Sequence, residues 1–321
     1  MIGTAREFPL RLMRRIHRTL SRTLPNVWQL NYLLALPKFW SGNKRLPRRI
    51  DDPRASLNDI IFQRMIRNEW SMLEQSCVDK EHAKVFAQAK APHVKVARTE
   101  AVMVLGKATT IADVAAWLQP FLGKRLVVKP THSCGAILYL DTPLDPAELA
   151  AFVRFSKKNF FHAARETQYQ SLERKLIIEQ NIAPAGGLSD YKFTCANGHI
   201  LHGRLDVGRF TSQHQRALFT VPGFEIIPVE YGGLKMPAKI ERPPHLYEMI
   251  EIAAQLSHGF DFVRIDLYDT DDGVYFGEFT FTPCAGSSSY SDEEVAIELA
   301  RRLRKITASE TRMPLQQRSA A

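Results

Sequence analysis

Cysteine is scarce in this chain. The four in 321 residues, Cys77, Cys134, Cys195 and Cys284, lie far apart and form no CxxC pair. That spacing suggests neither a thiolate zinc site nor a disulfide framework, and it fits reduced thiols in a cytoplasm. Long apolar runs are also missing: the nearest, Val27 to Trp40, is broken by Pro37 and Lys38, short of the roughly 18 uncharged residues that suggest a membrane span. No internal repeat or low-complexity tract occurs. Acids are nearly absent from the first fifty positions, where eleven Lys or Arg face only Glu7, while the other 271 residues carry 32 basic and 33 acidic side chains. The formal charge of +9 is thus an N-terminal property, and the near-neutral remainder speaks against a general nucleic-acid binder.

With 45% hydrophobic and 24% charged residues, the chain is long enough for one large domain or two lobes around a sizeable core. Leu10, Met13, Ile16, Leu20 and Leu24 recur at helical spacing, with Arg11, Arg14, Arg15, Arg18 and Arg22 as a second stripe, and Pro25 ends the element. Two readings stay open for residues 10–24: a helix in the headgroup region of an anionic membrane, or one docked on the core with a solvated basic face. The arginines break any apolar run, which disfavours a secretory signal, although the Arg-rich, acid-poor start also suits an organellar transit peptide. Residues 41–55 read as a linker.

Helices are expected over Ser56–Ser76, Asp79–Ala89, Thr110–Leu118, Asp145–Asn159, Pro243–His258 and Asp292–Lys305. Strands are expected at His93–Ala97, Arg125–Lys129, Ala136–Leu140, Lys175–Glu179, Asp190–Thr194, His199–Val207, Phe262–Tyr268 and Val274–Phe281. Asn197-Gly198 marks a hairpin, and Ala183–Gly187 a Pro/Gly-rich turn. The class is α+β with mostly antiparallel sheets. Its expected divisions are a basic helix and linker (1–50), a mainly helical part (51–100), two mixed parts (101–180 and 181–308) and a polar tail (309–321).

The most informative segment is VRIDLYDTDDGVYFGEFTFTP. Arg264 and Asp266 are two apart, as are Glu278 and Thr280, so a hairpin gathers two carboxylates, a guanidinium and a hydroxyl on one face. Oxygen ligands of this kind suit Mg²⁺ completed by phosphates. The interleaved Val263, Ile265, Leu267, Phe279 and Phe281 imply a buried sheet whose acids need partners; the bland alternative is a solvated ribbon face. In RLVVKPTHSCGAILYL, Lys129 ends an apolar strand before the small-residue loop Thr131–Gly135, whose backbone N–H groups can cover a phosphate. In KLIIEQNIAPAGGLSDYKF, Glu179 ends a strand at a hinge that suits a flat purine, and Lys192 follows on the next strand.

These segments, in this order, resemble the ATP-grasp superfamily. LVVKPTHSCGAI, then IIEQ, SDYKF and ANGHI, then VRIDLYDTDDGVYFGEFTFTPCAG look like its TupA-like branch, associated with teichuronopeptide and other surface-polymer synthesis; so does the Asp79-Lys80 pair. The likeness covers roughly residues 70–300. It implies an ATP-grasp fold of two lobes with nucleotide between them, and a carboxylate ligase using ATP and Mg²⁺. Lys129 and Lys192 would hold phosphates, with Ser133 and Gly135 in the covering loop; Glu179, Gln180 and Ile182 would line the adenine slot. Asp266, Glu278 and Thr280 would bind Mg²⁺, and Arg264 would face the transferred phosphate or the tetrahedral intermediate. Thr280 stands where the wider superfamily has Asn, and the covering loop has only Gly135. The implied partners are ATP and an acidic small molecule or polymer, with no nucleic acid. The implied location is cytoplasmic, with peripheral contact to anionic membrane through residues 10–24.

Other candidates weigh less. His132, His162, His202, His214 and His258 lack HxxxH spacing, and Cys134 reads as a filler of the loop. Ser287, Ser288 and Ser289 form a polar turn, and Arg204 and Arg209, flanking Phe210–Pro222, suit either an acidic substrate or a solvated face. A non-catalytic nucleotide- or polymer-binding component of a membrane-surface machine remains an alternative, as does a glycosyltransferase using the DTDD run at Asp269–Asp272.

Overall fold

The computed structural model describes residues 7–183, 189–208 and 212–311. The Pro/Gly turn from 184, Arg209 and the tail from 312 lie outside them, as do the side chains of residues 7–14. The helices are α1 (Glu7–Thr23), α2 (Trp28–Asn43), α3 (Leu57–Ile66), α4 (Met72–Val78), α5 (Lys80–Lys90), α6 (Ile111–Leu118), α7 (Pro146–Ser156), α8 (Phe161–Ala164), α9 (Leu246–Ser257) and α10 (Glu293–Thr311). The strands are β1 (Lys95–Val96), β2 (Thr99–Val104), β3 (Leu126–Pro130), β4 (Leu138–Tyr139), β5 (Lys175–Gln180), β6 (Asp190–Ala196), β7 (His199–Val207), β8 (Gln215–Phe219), β9 (Ile226–Ile227), β10 (Val263–Thr270) and β11 (Gly273–Thr280).

They build two sheets, a seven-stranded one in the order β1-β11-β10-β6-β7-β8-β9 and a four-stranded one in the order β2-β5-β3-β4. Every pairing is antiparallel except β1 with β11. The small sheet buries Leu126, Val128, Leu176 and Ile178 under α6 and α7, which leaves Val127, Lys129, Ile177 and Glu179 on its other face. In the large sheet, Tyr191, Phe193, Leu205, Phe219, Ile265, Leu267, Phe276 and Phe279 pack with α9 and with Ala83 and Ala87 of α5. Each such large side chain contributes about 1.5–3 kcal/mol by leaving water. The opposite face of that sheet is polar.

Local chemistry accounts for the breaks. The helix expected over 56–76 is two: Arg67 is extended and Ser71 starts a new helix through a capping box with Glu74. Asn197 and Gly198 both take positive φ at the β6–β7 turn, the geometry a two-residue hairpin prefers. The expected linker at 41–55 is pinned, because Arg45 reaches both oxygens of Asp59 at 2.7 Å and Arg48 lies 2.9 Å from Glu293. A bulge between β10 and β11 pairs Asp266 with Glu278 but Leu267 with Phe276, so Gly277 is the extra residue. That one residue puts Phe276 in the core and Glu278 on the polar face. A Cβ on Gly277 would lie 2.9 Å from the Tyr268 ring and 3.0 Å from the Asp266 carbonyl.

Candidate active site

The polar face of the large sheet is a ladder of charges in direct register. Asp266 of β10 pairs with Glu278 of β11 on one side and Lys192 of β6 on the other, and Arg264 pairs with Thr280. Side chains therefore meet laterally. Arg264 donates Nε to Asp266 Oδ1 at 2.6 Å and Nη2 to Asp266 Oδ2 at 2.7 Å, to Thr280 Oγ1 at 2.9 Å and to Glu278 Oε1 at 3.1 Å. Lys192 donates to Asp266 Oδ2 at 2.5 Å and to Asp190. Asp266 and Lys192 are 2% and 3% exposed. Burial by itself would raise the Asp266 pKa, but the Arg264 and Lys192 cations hold it down at about 2. Burial likewise works against the Arg264 charge, and Asp266 and Glu278 more than restore it.

A second cluster sits on the inner face of the small sheet. Glu179, 4% exposed, is held by Lys129 of β3 at one oxygen and Lys84 of α5 at the other. Those cations overcome the burial effect and lower its pKa, whereas burial wins at Lys84 and lowers the lysine. Helix α5 joins the two clusters. Lys80, one turn before Lys84 and about 6 Å along the axis, lies 3.9 Å from Glu278 Oε2 and donates to the Ser133 carbonyl at 2.6 Å. Asp79 caps α5 and also accepts from Thr131 Oγ1 at 2.8 Å, tying the small-residue loop to the helix. In that loop Ser133 is buried, and Gly135 takes φ +86°, where a Cβ would meet no atom within 4 Å.

The structure thus brings together Arg264, Asp266, Glu278, Thr280 and Lys192. It places Lys129 in the Glu179 cluster rather than in contact with them. Both Glu179 oxygens are engaged by lysines, Gln180 is exposed at the end of β5, and Ile182 is half-buried just before the hinge leaves the described residues. Sequence reasoning passed over Lys84, and it noted Lys80 only as part of a pair. Their i, i+4 spacing was the available signal. It also passed over Glu166, buried and accepting from Thr282 Oγ1 at 2.5 Å, whose pKa burial raises. For a divalent cation the donor set is chemically apt, being all oxygen. Glu278 is the most available ligand, with a 30% exposed side chain and one oxygen free of close bonds, while both Asp266 oxygens are occupied by cations.

The family model described as TupA-like ATPgrasp matches residues 61–303. Comparison with curated proteins finds no match. Among solved structures, the ATP-grasp ligase PsnB complexed with a minimal precursor is 9% identical over 71% of this chain and 61% of its own, with a TM-score of 0.37. The D-alanine–D-alanine ligase from Bacillus anthracis complexed with ATP is 18% identical over 72% and 68%, also at 0.37. VanG D-Ala:D-Ser ligase from Enterococcus faecalis is 15% identical over 72% and 61%, at 0.38. The chain spans about three fifths of the PsnB and VanG chains. Likeness at this level transfers no role to any residue.

Proposed function

The chain belongs to the TupA-like ATP-grasp family, and from that premise we propose that it is an ATP- and Mg²⁺-dependent carboxylate ligase acting in bacterial cell-surface polymer assembly. The observation that carries the reading is the ladder Lys192, Asp266, Glu278 across three adjacent strands, with Arg264 bridging its acids and α5 linking it to Lys129. In the reaction, a substrate carboxylate oxygen attacks the γ-phosphorus, the bond to the ADP oxygen breaks, and an acyl phosphate results. An amine or similar acceptor then attacks the acyl carbon and phosphate leaves. Asp266, Glu278 and Thr280 would hold Mg²⁺, which supplies neutralisation of phosphate charge. Lys129 and Lys192 orient the phosphates, the loop with Ser133 and Gly135 covers them, and the hinge at Glu179 to Ile182 borders the adenine. Arg264 stabilises the charge that develops at the acyl centre. Positioning and electrostatics do the work, with no covalent enzyme nucleophile. The test is ADP release over a panel of amino acids and uronic acids: stimulation by one class supports a ligase, and a flat panel with intact ATP binding favours a binding component.

We further propose that residues 10–24 contact an anionic membrane. Helix α1 docks by its polar edge, with His17 Nε2 donating to the Leu34 carbonyl at 2.7 Å and His162 Nδ1 to the Ser21 carbonyl at 2.6 Å. Ile16 and Leu20 are left 50% and 40% exposed, Trp28, Leu33 and Trp40 of α2 are exposed as well, and so are the cations Arg15, Arg22 and Lys44 of this N-terminal stretch. Exposed apolar side chains together with exposed cations suit a headgroup layer. Among the described residues no helix is long and apolar enough to cross a membrane.

A further inference from the structure

Beside Arg264, the same sheet face carries a second basic cluster that phosphoryl transfer leaves without a task. Arg204 of β7 and Arg216 of β8 both turn to Asp206, with Arg204 Nη2 at 3.1 Å and Arg216 Nε at 2.6 Å, and His214 Nε2 lies 3.0 Å from the same carboxylate. Two guanidiniums thus share one acid. Each has five N–H donors in a fixed fork suited to carboxylate or phosphate, and these contacts use one from each. Tyr231 lies under both, its ring centre 5.8 Å from the Arg204 carbon and 5.6 Å from that of Arg216. Both distances lie within cation–π range, which helps hold the two side chains in place.

The site is built rather than solvated by chance. Arg204 is 6% exposed, and its Nε has no partner among the described residues. His202, 4% exposed, has an unpartnered Nδ1, and both side chains line a cavity of about 10 Å³ with Thr194, Arg264, Tyr231 and Tyr290. That volume holds about one water. Outside it, Cys284 begins the left-handed pair Cys284–Ala285, and as a residue it is exposed although its thiol is largely packed. The packing around that thiol raises its pKa, yet a Ser288 hydrogen bond and the charges of Arg204, Arg264 and Arg216 bring it below the ordinary value. Negative charge is therefore favoured at the rim. Gly232, at φ +70°, lets Arg216 close on the backbone there, since a Cβ would lie 2.6 Å from Arg216 Nη1.

We propose that Arg204 and Arg216 form a recognition subsite for a carboxylate or phosphate group of the acidic substrate, beside Arg264. This rests on the ligase reading for the word substrate, while the anion site itself does not. Cys284 supplies the readout. In a Cys134→Ser chain, where Cys77 and Cys195 are buried, iodoacetamide labelling of Cys284 is followed by mass spectrometry with sodium glucuronate, inorganic phosphate or sodium chloride at equal ionic strength. Glucuronate or phosphate should slow labelling at least fivefold, chloride should not, and whichever protects identifies a carboxylate or a phosphate as the group read. Arg216→Gln should abolish the protection, and Arg216→Lys, which keeps the charge without the fork, should retain only part of it. Should the Gln variant fail to fold, the Lys variant decides. Protection equal to that by chloride, or unchanged in Arg216→Lys, overturns the subsite. ATP binding by the same protein is measured in parallel: if it is intact and protection fails, only the subsite falls, and if it is absent while protection persists, the ligase reading falls instead.

Discussion

Replacing Glu179 by Gln tests the clasp between the two sheets. The carboxylate holds Lys84 and Lys129, and burial already lowers the Lys84 pKa despite that partner. Without it, Lys129, 22% exposed at its side chain, turns to water, while Lys84, at 9%, keeps only neutral acceptors: the Ala97 carbonyl at 2.9 Å, the Thr99 hydroxyl at 3.3 Å and the new amide oxygen. A lysine left without a counter-ion in so dry a place gives up its proton rather than stay charged. Holding it neutral at pH 7 against an unfolded pKa of about 10.4 costs about 4.6 kcal/mol, at roughly 1.4 kcal/mol per pH unit. This agrees with the roughly 3–5 kcal/mol typical of breaking one side of a buried pair. The sign follows from proton counting: the unfolded variant binds the proton that the folded variant lacks, so its stability rises with pH up to the unfolded pKa. At pH 9 the deficit shrinks to about 2 kcal/mol. Urea unfolding of wild type and Glu179→Gln at both pH values reads this directly, and adding Lys84→Met should recover most of the loss. A deficit under about 1 kcal/mol at both pH values would show that Lys84 is not a desolvated cation, and the clasp would be no more than a surface pair.

Asp266→Asn and Glu278→Gln should each abolish Mg²⁺-dependent ADP release while the melting transition persists; wild-type turnover in either removes that residue from the metal set. Lys192→Met removes a charge-assisted bond to phosphate and should weaken ATP binding by about 1.5–3 kcal/mol, and calorimetry showing unchanged affinity would refute the assignment. His202 is buried with its pKa lowered to about 3, mainly by burial and then by Arg204, while its unfolded pKa is about 6.5. The unfolded state therefore takes up the proton first, and stability should fall by about 2 kcal/mol between pH 7 and pH 5. Urea midpoints of a His202→Gln chain should lack that component. Deleting residues 1–24 should weaken flotation with phosphatidylserine vesicles, in a salt-sensitive way and by about 1 kcal/mol per arginine near the surface; equal flotation of both chains would mean that the helix is only packed.

Local chemistry was legible in the sequence, and distant pairing was not. The β6–β7 hairpin was readable because Asn197-Gly198 permits positive φ, and β10 and β11 because alternation exposes Arg264, Asp266, Glu278 and Thr280 as a set. Ser71 and Glu74 carried the sign of a helix start, but the apolar period across Trp70 hid it. Strands β2, β8 and β9 and helices α2 and α8 were missed; α2 is apolar with Pro37 inside it, and its ends depend on packing against α3 and on the Lys44 left-handed cap. Lys84 finds its anion 95 residues away, and only the fold makes that neighbour visible. The Gly277 bulge was equally silent, because a single inserted residue leaves the motif intact while changing which side its aromatic neighbours face.

The central claim is that a substrate carboxylate is activated by direct phosphoryl transfer, and oxygen tracing tests it most directly. With ATP, Mg²⁺ and a stimulating acid labelled with ¹⁸O in its carboxylate, an acyl phosphate route places one labelled oxygen in each inorganic phosphate released, readable by mass spectrometry. Label found in AMP would mean adenylation, and unlabelled phosphate would mean simple ATP hydrolysis; either result contradicts the account.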